Sequence, residues 1–157
     1  MRVSVILHER LGNWNRQLRP RLTHQAVRWF ESRSTGDLAG ILAGLAAPVM
    51  LIDLARQPLD GLKVLDVVGS RVAGARILVL DPESRPEIAE LARELGATHV
   101  VSGFMPPPEV AGLLDRWIAL AWRDLERAGW SRAAPSDATT DPWGWLSDDL
   151  AWPAASR

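Results

Sequence analysis

A chain of 157 residues with 18 basic and 19 acidic side chains, 47% apolar content and no cysteine has the profile of one ordinary globular domain. At this size folding buries about 68–70% of the extended chain's surface, so neither disulfides nor a structural metal is required. Thiol nucleophiles, iron–sulfur clusters and cysteine zinc sites are excluded, a formal charge of −1 argues against nucleic acid or membrane as an obligate partner, and no apolar run approaches a membrane span.

Apolar runs alternate with segments of helical period, the sequence form of a βα repeat and a mostly parallel sheet. A first strand is expected at Val3 to Leu7, straight after Met1 and Arg2, so no leader peptide is expected and the cytoplasm is the default location. Asn13 to Leu22 is predicted as a short or kinked helix, because Pro20 in a helix interior costs about 3 kcal/mol. A second strand follows at Ala26 to Phe30, then a helix with Ser34 and Thr35 as N-cap candidates and Leu38, Ile41, Leu42 and Leu45 as its apolar stripe. Val49 to Ile52 and Arg76 to Leu80 are nearly continuous apolar strands, as central parallel strands covered on both faces should be. Between them Leu62, Leu65, Val68 and Val72 mark a helix; after them Ile88, Leu91, Ala92 and Leu95 mark another, stopped by Gly96. The fifth strand is expected at Thr98 to Ser102, and a last helix from Pro106 to about Ala128, with Gly129 as its stop. Residues 1–128 thus read as the domain, 129–140 as a small, polar linker and 141–157 as a tryptophan-rich tail.

Ligands of open parallel sheets bind beyond the carboxyl ends of the strands. Those ends carry His8 and Glu9, Asp53, Asp81, and Ser102, Gly103 and Phe104. Glu9, Asp53 and Asp81 are expected to converge, and like charges in one cleft require a cation, a raised pKa or a basic neighbour. Mg²⁺ suits such an oxygen set. The plainer alternative has Asp81, before Pro82, as a turn or cap residue, and Asp53 as a strand-end cap. His8 beside Glu9 could do general acid–base work, but no serine elbow accompanies it, and His8, His24 and His99 are read as structural. The three-glycine dinucleotide fingerprint is absent. Residues 1–35 hold an excess of five positive charges, read as a solvated face with nucleic acid a minor hypothesis.

Tryptophan occurs eight times and tyrosine never, and Lys63 is the only lysine. Trp29 and Trp117 fall on core stripes; Trp122, Trp130, Trp143, Trp145 and Trp152 fall at the domain edge or beyond it. Indoles in that number are not left in water, so they are expected to fold back on their own domain or to anchor a partner.

Asp53 followed seven positions later by Asp60, Gly61 and Leu62, the strand from Arg76 to Leu80, Gly96 and Ala97 before the fifth strand, and the closing amphipathic helix together form a recognisable order. Over residues 1 to about 125 this order resembles the receiver domains of bacterial response regulators. The resemblance implies a flavodoxin-like α/β fold with five parallel strands in the order 2-1-3-4-5 and helices on both faces. It further implies a phosphate acceptor at Asp53, with Mg²⁺ held by carboxylates at the strand ends. The chain departs from that pattern at four positions: His8 stands where receivers have a second acid, Asp81 replaces the Ser or Thr, Gly103 the lysine, and Phe104 the proline after it. Two unit charges 4 Å apart interact by about 4 kcal/mol at an effective dielectric of 20, so one attraction lost and one repulsion gained disfavour a phosphorylated state by several kcal/mol.

The expectation is therefore a degenerate, pseudo-receiver-like signalling or adaptor module, not an enzyme, with no cofactor beyond a possible Mg²⁺ at Glu9, Asp53 and Asp81. It would act by contact with a protein partner or a second copy, through the fourth helix, fifth strand and fifth helix and through the tail. Two alternatives stay open. One is a working receiver phosphorylated on Asp53 with Mg²⁺; the other is a metal-dependent phosphotransfer or hydrolytic enzyme built on the three carboxylates. An arginine arriving beside Asp53 from elsewhere would reverse the preference.

Overall fold

The computed structural model describes residues 2–23, 26–42 and 45–133, the last four by backbone alone. Five strands, β1 (Val3–His8), β2 (Val27–Ser32), β3 (Val49–Asp53), β4 (Arg76–Asp81) and β5 (His99–Ser102), alternate with five helices. The helices are α1 (Asn13–Leu18), α2 (Thr35–Leu42), α3 (Pro58–Arg71), α4 (Pro86–Glu94) and α5 (Pro107–Ala133), and a 3-10 turn (Arg19–Leu22) follows α1. All strand pairs are parallel, in the order β2-β1-β3-β4-β5. Pro20 lies in the 3-10 turn that ends the first helical segment, as its ring requires.

Strand alternation divides the core between the two faces of the sheet. Val5, Leu7, Val49, Leu51, Leu78 and Leu80 pack with Leu18 and Leu22 and with Val110, Leu114 and Ile118 of α5. Ile6, Met50, Ile52, Ile77 and Val79 pack with Leu38 of α2, Leu62, Leu65 and Val68 of α3, and Ala89 and Ala92 of α4. The central strands are therefore mainly apolar, with Ser4 in β1 and Arg76 at the start of β4 as exceptions, and each ends in a polar residue, His8, Asp53 or Asp81.

Element ends differ from expectation for one reason. The parallel ladder is made by backbone groups and continues through polar residues: His8 pairs with Ser32 and Asp53 with Leu80, and Asp81 pairs with Ser102. So β1, β3 and β4 each run one residue past their apolar stretch, β2 spans Val27–Ser32 rather than Ala26 to Phe30, and β5 begins at His99. Thr98 instead uses its hydroxyl to accept the N–H of Ile77, 2.9 Å away. The last helix does not stop at Gly129 but continues to Ala133. Gly129 is absent from the glycines at positive φ, and an interior glycine costs a helix only about 1 kcal/mol. Gly96, at φ 101°, does end α4. Residues Met1 to Glu126 form one compact unit, and Trp143, Trp145 and Trp152 lie outside the described residues.

Candidate functional site

Each acidic strand end has been given a local partner. Glu9, 5% exposed, follows β1 and accepts the backbone N–H groups of Trp14 and Asn15 at 2.8 and 2.7 Å. Its two oxygens thereby satisfy N–H groups that the first turn of α1 cannot bond internally. Asp81, at the end of β4, has no exposed surface. One of its oxygens accepts the Arg85 backbone N–H at 2.6 Å, and the other accepts Nη2 and Nε of the same arginine at 2.6 and 3.0 Å. Charge-assisted bonds of this kind, two from the guanidinium to one oxygen and a backbone N–H to the other, make a buried carboxylate tolerable. Arg85 Nη2 also donates to the carbonyl of Leu54 at 3.1 Å, which ties the β4–α4 loop to the end of β3.

Asp53 is treated differently. It is half-buried, and its Oδ1 accepts only the Ala55 N–H at 3.0 Å. Burial pushes its carboxyl above the ordinary range, opposed by the Ala55 N–H and the Trp14 side chain. No ion-pair partner reaches it among the described residues. Arg85 does enter the cleft from elsewhere in the chain, but its guanidinium ends on Asp81 and on Leu54, one residue past Asp53.

The expected convergence of Glu9, Asp53 and Asp81 is thus corrected. Among the described residues no group of three acidic or histidine side chains could hold a metal ion. Sequence order brought the three to one end of the sheet, while hydrogen bonding turned Glu9 toward α1 and Asp81 toward Arg85. The three carboxylates therefore do not form one metal-binding cluster among the described residues.

The position that receivers fill with lysine is also remodelled in its backbone. Gly103 sits at φ 93°, its N–H donates to the Asp81 carbonyl at 2.8 Å, and a Cβ placed on it would come within 3.1 Å of Ser84 Oγ. A conformation of that kind favours glycine, so a lysine would be strained there. Phe104 beside it is 83% exposed. A small cavity of about 160 Å³ at this point has Asp53 as its one ionisable wall residue, with Trp14, Leu80, Pro82, Phe104 and Met105 supplying apolar walls. The other side of Asp53 opens into a larger, polar cavity of about 390 Å³.

His8 is 7% exposed, and its Nδ1 lies 3.1 Å from Ser32 Oγ. Of the tryptophans assigned to partner binding, Trp122 is half-buried, packs against the α5 side of the core and donates its indole N–H to Glu126 at 2.8 Å. The side chain of Trp130 lies outside the described ones. Trp29 and Trp117 pack half-buried against the same side of the core. Sequence reasoning missed Arg85. Its signal was the spacing Asp81, Pro82, Arg85, Pro86, an acid and a base four residues apart with prolines fixing the turn between them.

No protein-family model and no curated protein sequence matches the chain. Solved structures do. A CheY-like response regulator receiver domain protein from Methanospirillum hungatei JF-1 superposes with a TM-score of 0.65 at 11% identity, covering 79% of this chain and 99% of that one. The signal receiver domain of a putative Luxo repressor protein from Vibrio parahaemolyticus gives 0.64 at 14% identity, over 80% and 97% of the two chains. The fold is that of receiver domains. A third receiver-fold neighbour, the Mn(2+)-bound form of response regulator Rcp1, gives 0.61 at 16% identity over 74% of this chain and 94% of that one. The likeness rests on the strand order and helix placement described above.

Proposed function

We propose that this chain is a non-catalytic signalling or adaptor module on the receiver fold, acting by protein contact, with its phosphoryl switch silent. The carrying observation is the Asp81–Arg85 pair. In a working switch the end of β4 offers a hydroxyl free to move toward a phosphoryl group. Here it offers a buried carboxylate already held by three hydrogen bonds from Arg85, anchored in turn on Leu54. Arg85 is spent on that pair, and the walls of the smaller cavity beside Asp53 are apolar. A dianion on Asp53 would find no lysine from the β5 end and no free hydroxyl at the end of β4, where the Asp81–Arg85 pair stands instead, which supports a state locked by protein charges instead of phosphate.

Contact surfaces are proposed on α4, β5 and α5, where Leu91 and Leu120 are 39% and 44% exposed, and on the tryptophans from Trp122 onward. Partner or second copy would dock there, with Phe104 at the margin.

The test is incubation of the full chain with an acyl phosphate and Mg²⁺, followed by intact mass. No adduct is expected. A phosphate adduct that disappears in Asp53→Ala would overturn the reading and establish a phosphorylated receiver.

A further inference from the structure

The polar cavity of about 390 Å³ lies between the loops that follow β1, β2 and β3, a volume within the range of small-molecule sites. In a sheet of order 2-1-3-4-5 this is the switch point, where successive connections leave for opposite sides and where open parallel sheets accept ligands. Each loop contributes one guanidinium to the lining: Arg10, Arg33 and Arg56. Among the described residues none of the three has an ion-pair partner. Three carboxylates share the lining: Glu9, which accepts the N–H groups of α1, Asp53, and Asp60 at the start of α3.

A buried acceptor stands behind the arginines. Ser32 Oγ donates its single proton to the Ser34 carbonyl at 3.0 Å, so His8 must donate from Nδ1 to Ser32, and the lone pair is on Nε2. Burial lowers the pKa of His8, which keeps that lone pair in place at neutral pH. Nε2 has no partner among the described residues, and it is not among the sealed, unbonded polar atoms, so it faces open space at the cavity wall. Although His8 is 7% exposed overall, this acceptor is open to a hydroxyl donor. Asp53, at the end of the neighbouring strand, supplies a second acceptor to the lining. No tryptophan, phenylalanine or tyrosine lines it.

We propose that this cavity binds a small phosphate ester of a polyhydroxy compound, its phosphate against Arg10, Arg33 and Arg56 and a hydroxyl donating to His8 Nε2. Guanidinium forks match phosphate oxygens, and His8 and Asp53 in the same lining offer acceptors to hydroxyl groups. The site needs neither a metal nor phosphoryl transfer to Asp53, and so stands apart from the silent-switch reading. It would make the module responsive to a metabolite.

Calorimetric titration of the full chain with ribose 5-phosphate, and separately with inorganic phosphate and with ribose, tests this. Saturable binding of the ester is expected, at least about tenfold tighter than either fragment. Arg10→Gln with Arg33→Gln should weaken it by about tenfold or more, while Arg19→Gln, outside the cavity, leaves it unchanged. Both arginines are exposed, so the double variant should fold, and its circular dichroism spectrum would verify that. Absence of saturable ester binding, or binding that survives the double variant, overturns the proposal; so does equal affinity for ester and phosphate, since His8 would then contact nothing.

Discussion

Asp81 has no exposed side-chain surface, yet it carries a charge, and Arg85, 22% exposed, is what makes that bearable. Removing one partner of such a pair leaves the other uncompensated, which costs about 3–5 kcal/mol, whereas removing both is often close to neutral. Arg85→Ala should therefore lower unfolding stability by about 3 kcal/mol, and Asp81→Ser with Arg85→Ala should recover most of the loss. Urea denaturation of the three proteins measures this. Equal stability of Arg85→Ala and the parent chain would show that the pair holds nothing in place, and the switch reading would lose its main support. At this scale the sequence was legible in residue type and opaque in pairing. That position 81 is acidic and position 103 lacks a lysine is plain from the chain; that Asp81 turns to Arg85 while Glu9 turns to α1 depends on loop geometry that no spacing rule specifies.

Helix α3 comes so close to its neighbours that two of its glycines have no room for a side chain. A Cβ on Gly69 would stand 2.4 Å from the Leu95 carbonyl oxygen, and one on Gly61 would stand 2.3 Å from Leu54 Cδ2. Backbone cannot step aside as the end of a flexible side chain can. Gly69→Ala should destabilise the fold by about 1–3 kcal/mol, while Gly112→Ala, with open space around it on α5, should stabilise it by about 0.5–1 kcal/mol. Shifts of opposite sign in the denaturation midpoint, with an unchanged slope, are the expected readout; matching shifts would show that α3 and α4 are less closely docked than described. Elements were legible in kind and order because period two and period 3.6 are properties of a few adjacent residues. Their ends were not, since the ladder through Ser32 and Asp81 and the continuation of α5 past Gly129 are decided by what the neighbouring backbone offers.

For the molecule as a whole, the 2-1-3-4-5 sheet leaves two kinds of surface at its strand ends, a locked acidic corner at Asp81 and an arginine-rimmed cavity at His8. The tryptophan-rich segment is proposed as the means of contact. Deleting residues 134–157 should weaken self-association or partner binding, seen in sedimentation velocity, or expose apolar surface that makes the domain aggregate; unchanged sedimentation and solubility would show the segment to be passive.

By itself the sequence determined the alternation of strands and helices and the set of charges at the strand ends, because these follow from local periodicity and chain connectivity, while the strand order came from the resemblance to receiver domains. Only the tertiary structure decided which of those charges meet. Arg85 reaches Leu54 across 31 positions, and His8 reaches Ser32 across 24. Electrostatic energy depends on separations of a few ångströms and on burial, and neither is written in the order of residues.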